Sequence, residues 1–156
     1  MNIQTAIKEG RNILNQKKIK TPELDSEILM STAINKDRKY IILNSDKKLT
    51  KKNFDYFKNL IIERSNGKPI AYLTGKKSFW KYDFNIKQGV LIPRPDTEII
   101  IEEALKFIKN KSKLKVLDIG VGSGCILLSI LKEKKDFKGT GIDVSKKCLD
   151  VSRINA

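Results

Sequence analysis

Histidine is missing from the sequence altogether. Its absence removes every mechanism that needs an imidazole base or a His metal ligand, Ser-His-Asp triads and His-Glu-x-x-His zinc sites among them. Cysteine is scarce: Cys125 and Cys148 are the only two. They are too few for a four-thiolate zinc site or a disulfide framework, a usage that fits a reducing cytoplasm, with one bridge between them left open. No metal site is expected. No apolar run approaches the roughly 20 residues a membrane helix needs, and Met1-Asn2-Ile3-Gln4-Thr5 lacks the basic-then-apolar order of a signal peptide. A cytoplasmic chain with no membrane partner is the expectation.

Arginine is also rare, at five of 32 cations, although the chain carries 32 Lys and Arg against 18 Asp and Glu, a net charge of +14 over 156 residues. Such a charge raises encounter rates with phosphate polymers. Arg, the residue suited to bidentate phosphate contacts, is nevertheless the minor cation, and the Lys-, Ile- and Asn-rich usage is that of AT-rich coding DNA. Solvated lysine surface is therefore the preferred reading, with nucleic acid as the weaker one. At 40% hydrophobic and 32% charged, the chain has enough apolar surface for a folded core.

The excess charge leans toward the first half, +9 over residues 1–80 against +5 over 81–156. That half reads as helical. Ile3, Ala6, Ile7 and Leu14 recur near helical spacing, with Gly10 a weak point worth about 1 kcal/mol relative to Ala. Thr21-Pro22 supplies an N-cap and a first-turn proline for a second helix through Glu23, Leu24, Ile28 and Leu29. Asp37 to Leu43 makes a short third helix. Thr50 opens a fourth, with Phe54, Phe57, Leu60 and Ile61 as its apolar stripe, ending at Asn66-Gly67. A helical domain over residues 1–67 follows.

Residues 68–92 read as a linker and a β-hairpin. Trp80, Tyr82, Phe84 and Ile86 alternate as a half-buried strand, and Gly89 separates them from Val90-Leu91-Ile92. After Pro93-Arg94-Pro95, Asp96 to Lys109 is helical, with Ile100, Ile101, Ala104, Leu105 and Ile108 as the expected buried face. Lys115 to Ile119 is a β-branched strand, Gly120 to Gly124 a glycine loop, and Cys125 to Leu131 an apolar helix. Thr140 to Asp143 is a second strand, and Ser145 caps a last helix. Residues 93–156 thus begin a parallel sheet.

The glycine loop carries the chemistry. Glycines allow positive φ and close backbone approach to a ligand, and the following helix start offers unpaired N–H donors. Asp143, 23 positions after Gly120 at the end of the next strand, is placed to accept hydrogen bonds from ribose hydroxyls. A dinucleotide fingerprint would read G-x-G-x-x-G, whereas here the glycines stand at 120, 122 and 124, with Cys125 following. Asp118-x-Gly120-x-Gly122-x-Gly124 instead resembles motif I of class I S-adenosylmethionine-dependent methyltransferases.

Leu91-Ile92-Pro93-Arg94-Pro95-Asp96-Thr97-Glu98, together with Val116 to Gly124, resembles the peptide chain release factor glutamine methyltransferases of the HemK type. Pro69 to Gly75 with Phe79, and the terminal Asn155-Ala156, extend the likeness. That resemblance implies an α/β class I methyltransferase domain of Rossmann-like fold, truncated here and preceded by a small helical domain that recognises the substrate. It implies S-adenosylmethionine as cofactor, bound by Gly120, Val121, Gly122, Ser123 and Gly124. Asp118 would then lie at the methionine end and Asp143 on the ribose. The implied reaction is methylation of a glutamine side-chain amide in a release factor, the implied protein partner.

The Asn-Pro-Pro-Tyr loop with which that family holds the amide does not occur in these residues, so no catalytic residue is assigned and the chain alone is expected to be inactive. Pro93-Arg94-Pro95 is expected at the cofactor edge, with the individual roles of Arg94, Thr97 and Glu98 unassigned. Two other readings stay open, a non-catalytic remnant or adaptor and a nucleic-acid amino-group methyltransferase. Cys125 and Cys148 read as core, and Trp80, Tyr82 and Phe84 as a packed face rather than a base-stacking platform.

Overall fold

The computed structural model describes residues 1–156, which fold as two compact units, Met1–Thr74 and Gly75–Ala156.

The first unit is five helices: α1 (Ile3–Gln16), α2 (Pro22–Ile34), α3 (Arg38–Leu43), α4 (Lys51–Ser65) and α5 (Ile70–Thr74). Their starts follow local chemistry. Asn2, Asp37 and Thr50 each accept the backbone N–H three residues on, satisfying a donor that the first helical turn leaves unpaired. Thr21 holds the cap position of α2 without making that bond. Its hydroxyl donates instead to Asp25 Oδ1 at 2.9 Å. Asp25 is itself buried and takes a 2.7 Å contact from Arg64 Nε, so one carboxylate joins α2 to α4. Arg64 Nη1 donates onward to the Lys68 carbonyl, fixing the chain as it leaves α4.

Ile3, Ala6, Leu14, Leu29, Met30, Phe57 and Ile61 form the core of this unit. Gly10, which weakens α1 on propensity alone, stands where α2 and α4 come close to α1. A Cβ there would lie 2.7 Å from Ser26 Oγ and 2.9 Å from both Ile61 Cδ1 and Phe57 Cζ. The segment 68–74, expected as linker, instead forms α5 and buries Ala71 and Leu73 among these helices. Five residues are too short for a periodic signal.

The second unit opens with an antiparallel hairpin, β1 (Lys76–Phe79) and β2 (Tyr82–Asn85), in which Lys77 faces Phe84 and Phe79 faces Tyr82. The expected hairpin, with Gly89 between two strands, is not formed, and Val90 to Ile92 is not a strand. The turn falls at Trp80-Lys81. Trp80 adopts φ 57, a left-handed conformation that sequence rules reserve for Gly, Asn or Asp and that costs about 1–3 kcal/mol in other residues. Two carboxylates hold it there: Glu98 accepts the Trp80 backbone N–H at 2.8 Å and Glu133 accepts the indole N–H at 3.0 Å. Lys81 adds a 2.8 Å ion pair to Glu133, which lowers that carboxyl's pKa.

A 3₁₀ turn (Pro95–Thr97) leads into α6 (Glu98–Phe107). Its buried face is narrower than expected: Ile101 and the following Ile108 are buried, Ala104 and Leu105 are half-buried, and Ile100 is exposed. Then come β3 (Lys115–Ile119), α7 (Cys125–Glu133), β4 (Lys138–Ile142) and α8 (Lys146–Asn155), with β3 and β4 parallel and Asp118 opposite Gly141. This is the expected βαβα order.

Helix α7 lies directly on β4. A Cβ at Gly139 would stand 2.6 Å from Leu131 Cδ1, and one at Gly141 2.6 Å from Val121 Cγ2. Leu117, Ile119 and Ile142, on the other face of the pair, are exposed. Both cysteines are buried free thiols, Cys148 beside Val90 and Val151. Burial raises the Cys125 pKa, the reverse of a reactive thiol at a helix start. Phe79 and Phe84 meet edge to face at 6.2 Å, while Lys81 and Lys132 cover the rings of Trp80 and Tyr82. The aromatic alternation is thus a packed face.

Replacing Gly10 by Ala is expected to destabilise the first unit by about 1–2 kcal/mol despite the better helix propensity of Ala, because Ser26 Oγ is held by its bond to the Ile7 carbonyl and cannot move aside. Urea unfolding of the two proteins measures the difference.

Candidate functional site

The site stands at the carboxyl ends of β3 and β4, where parallel strands leave room for a ligand. Gly120, Gly122 and Gly124 adopt φ 84, 54 and 82, a sequence of turns closed to ordinary side chains. The Gly120 and Val121 N–H groups both donate to the Ile142 carbonyl, at 2.8 and 3.0 Å, so the loop begins by clasping the end of β4. Gly124 closes a turn on the Val121 carbonyl at 2.8 Å, and its own carbonyl accepts the first α7 bond, from Leu128. A Cβ on Gly124 would lie 2.9 Å from Leu128 Cδ1 and 3.3 Å from Ser152 Cβ. Gly120 faces open space, with nothing within 4 Å of where a Cβ would be.

Asp143 follows β4 and turns its carboxylate back to the loop. Oδ2 accepts the Gly122 N–H at 2.9 Å, and Oδ1 accepts the Ser145 N–H at 2.8 Å. These backbone donors, Ser145 first and then Gly122, hold the Asp143 pKa below the ordinary carboxylate value. Each oxygen retains an acceptor lone pair. Asp118 is the opposite case. Partial burial raises its pKa, and the negative charge of Asp143 adds to the rise. Two carboxylates at one loop are thereby pushed apart, a pattern common at functional sites.

A hollow of about 140 Å³ lies against the loop, lined by Leu91, Pro93, Arg94, Asp118, Gly120 and Ser123 among others. The Pro93-Arg94 segment is therefore beside the glycine loop. Arg94 and Thr97 line the hollow, whereas Glu98 serves the hairpin turn at Trp80. Larger hollows occur in the first unit, about 390 and 440 Å³, and between α7 and β4 of the second, about 280 Å³; neither Gly120 nor Asp118 lines any of them. No group of His, Cys, Asp and Glu is placed to hold a metal ion.

The residues fit a nucleoside cofactor that carries positive charge. Open space over Gly120 admits a ligand to the backbone, Asp143 has lone pairs for hydroxyl donors, and the Asp118 carboxylate in the hollow suits a cationic group, with Arg94 in the same lining. Asp118, Gly120, Val121, Gly122 and Ser123 line this hollow, and Gly124 and Asp143 adjoin it through their bonds to Val121 and Gly122. Asn155, whose side-chain amide bonds Asn85 and the Ser123 carbonyl of the loop, is not singled out by sequence reasoning; its place in the matching Asn155-Ala156 pair is the sole signal.

The chain thus joins a helical unit to a glycine-loop βαβ unit with an aspartate at the end of its second strand. The family model described as PrmC N-terminal domain matches residues 5–75, and one described as methionine biosynthesis protein MetW matches residues 94–153. Release factor glutamine methyltransferase of Buchnera aphidicola subsp. Baizongia pistaciae is 44% identical over 136 residues, 87% of this chain and 49% of that protein. The proteins so named in Leptospira interrogans and Clostridium acetobutylicum are each 37% identical over 99% of this chain and 54% of their own length. The chain belongs to the release factor glutamine methyltransferase family, matching its N-terminal part, and spans about half the length of the curated relatives it matches. No helix is long and apolar enough to cross a membrane.

The two carboxylates predict opposite pH responses. Asp143, with its pKa lowered on folding, stabilises the fold at neutral pH, a contribution lost as pH falls from the ordinary carboxylate value through its folded value. Asp118, with its pKa raised, costs stability at neutral pH, and protonation relieves that cost. Asp143→Asn is therefore expected to lower the melting temperature at pH 7 and Asp118→Asn to raise it; on acidification the Asp118 difference fades first, as pH falls through its raised pKa toward the ordinary carboxylate value of about 4, and the Asp143 difference fades only below that value. Melting curves across pH decide the signs.

Proposed function

We propose that this chain provides the cofactor site and the substrate-docking unit of a class I, Rossmann-like methyltransferase that acts on the glutamine side-chain amide of peptide chain release factors. The observation that carries the reading is the Asp143 carboxylate on the Gly122 N–H, which joins the loop to the strand-end acid and leaves the acid's remaining lone pairs for a ligand.

Gly120 to Gly124 would lie along the cofactor, Asp143 would accept its ribose hydroxyls, and Asp118 would face its methionine ammonium. When bound, S-adenosylmethionine supplies a methyl group on a sulfonium, open to in-line attack. An amide nitrogen is a weak nucleophile because its lone pair is delocalised into the carbonyl. The task left to the protein is holding that nitrogen in line, so that positioning supplies most of the rate. Val121 and Ser123 belong to the loop that would fix the cofactor side of this geometry, and Pro93-Arg94-Pro95 would form its edge. No Asn-Pro-Pro-Tyr sequence stands in residues 1–156. The amide-holding step is therefore assigned to no residue here, and the 156-residue chain is proposed to lack transfer activity by itself. Release factors act in the cytoplasm, which is accordingly the proposed location.

The 156-residue chain is expected to bind S-adenosylhomocysteine in calorimetry, weakly, while NAD gives no heat, and to transfer no methyl group to a release factor fragment. Equal binding of NAD would refute the cofactor assignment. Methylation by the isolated chain would refute the claim of inactivity.

Docking is a separate matter. The positive first half suits an acidic protein surface. Replacing the exposed Lys39, Lys51 and Lys52 by Gln is expected to weaken release factor binding several-fold and to leave cofactor affinity unchanged. A parallel fall in both would overturn the docking role.

A further inference from the structure

Asn155 lies on the last turn of α8 and joins three segments that are distant in the chain. Its Oδ1 accepts the Asn85 backbone N–H at 2.8 Å and the Asn85 Nδ2 amide at 3.0 Å. Its Nδ2 donates to the Asn85 carbonyl at 3.1 Å and to the Ser123 carbonyl at 2.9 Å. Every hydrogen-bonding direction of the side chain is used, and the amide has only one workable orientation. Turned over, it would set its oxygen against two carbonyls and its NH₂ against two donors.

Ser123 is the fourth residue of the glycine loop and is buried, with only 3% of its surface exposed. Its carbonyl fixes the plane of the Ser123–Gly124 peptide. With that carbonyl drawn to Asn155, the Gly124 N–H is aimed at the Val121 carbonyl, the bond that closes the loop. The Gly122 N–H is held from the other side by Asp143. Positive φ at Gly122 and Gly124 gives this stretch unusual freedom, so peptide flips there are cheap unless external bonds forbid them.

We propose that Asn155 is a positioning residue for the cofactor loop: its side-chain amide locks the Ser123–Gly124 peptide by tying it to the end of β2. It acts through Ser123 and touches no reacting atom. Its use in cofactor binding rests on the S-adenosylmethionine reading above, whereas the lock itself does not. The requirement is specific, since the partners present one N–H and one NH₂ to its oxygen and two carbonyls to its nitrogen. Aspartate has the same shape, yet it offers acceptors alone, and ionised it would repel both carbonyl oxygens. Protonated, it regains one O–H donor. An Asn155→Asp variant therefore carries a built-in pH switch. One oxygen of its carboxyl keeps the two Asn85 donors while the other faces two carbonyls, so the lock is lost when the carboxyl is ionised and partly regained when it is protonated.

The test uses the isotope-labelled 156-residue chain and solution NMR. In the wild-type protein the two Asn155 side-chain amide protons are expected to exchange slowly with solvent. In Asn155→Asp at neutral pH, the Gly122, Ser123 and Gly124 amide resonances are expected to shift or broaden while those of α1 to α4 stay in place. They should return toward wild type as pH falls through the new carboxyl's pKa, a recovery that a generally loosened fold would not show. Affinity for S-adenosylhomocysteine is expected to drop about tenfold at neutral pH, the size of effect that an unsatisfied buried acceptor brings, and to recover with the same midpoint.

Unchanged loop resonances in the variant, or wild-type Asn155 amide protons exchanging as fast as those of a free amide, would overturn the lock. Should the variant fail to fold, the wild-type exchange measurement decides alone. If the loop responds but the wild-type chain binds no S-adenosylhomocysteine, the lock stands and the cofactor reading falls.

Discussion

How closely α7 lies against β4 governs everything at the mouth of the second unit. Gly139 and Gly141 give that face of β4 no side chains, so Leu127 and Leu131 of the helix, and Val121 of the loop before it, come within contact of bare backbone. A strand of four β-branched residues would be the better strand by propensity. It would also lift the helix off the sheet and carry its first turn away from the strand end. The sequence Lys-Gly-Thr-Gly-Ile is thus a weak strand that makes a tight layer. From that layer follows the short span between Val121 and the Ile142 carbonyl, and from that span the turn that delivers Gly122 to Asp143.

The charge of the site runs against the charge of the chain. Across a protein with a net charge of +14, the loop gathers two carboxylates, one eased by backbone donors and one strained by burial. One of the donors, the Gly122 N–H, comes from the glycine loop itself, so the loop conformation and the ionisation of Asp143 support each other. The hollow beside the loop carries charge of both signs, with Arg94 and Asp118 both in its lining.

Much of this was legible in the sequence because the signals were local. Thr50 and Ser145 cap the helices they precede, and the glycine loop falls between two strands that carry β-branched Val116, Ile119, Thr140 and Ile142. What escaped was set by partners far along the chain. The hairpin was misplaced because its turn uses Trp80 in a conformation made tolerable by Glu98 and Glu133, 18 and 53 residues away. Helix α5 is five residues long and is fixed by packing rather than by pattern. Thr21 stands at a cap position but answers Asp25, whose burial depends on Arg64, 39 residues on. The breadth of the α6 buried face was overestimated because periodicity identifies an apolar stripe without saying whether a neighbour covers it; Ile100 fits the stripe and faces solvent.

The clamp on Trp80 also makes the molecule readable by light. Trp80 is the only tryptophan in the chain, and its indole is tied to α7 through Glu133 with Lys81 over the ring. The first unit contains tyrosines and phenylalanines but no tryptophan. Excitation at the red edge, where tyrosine does not absorb, therefore observes the hairpin and its hold on α7 and nothing of the helical unit. Far-ultraviolet dichroism, by contrast, is dominated by helices and weighs the first unit heavily. Followed together, the two signals separate the unfolding of one unit from that of the other with no label added to either.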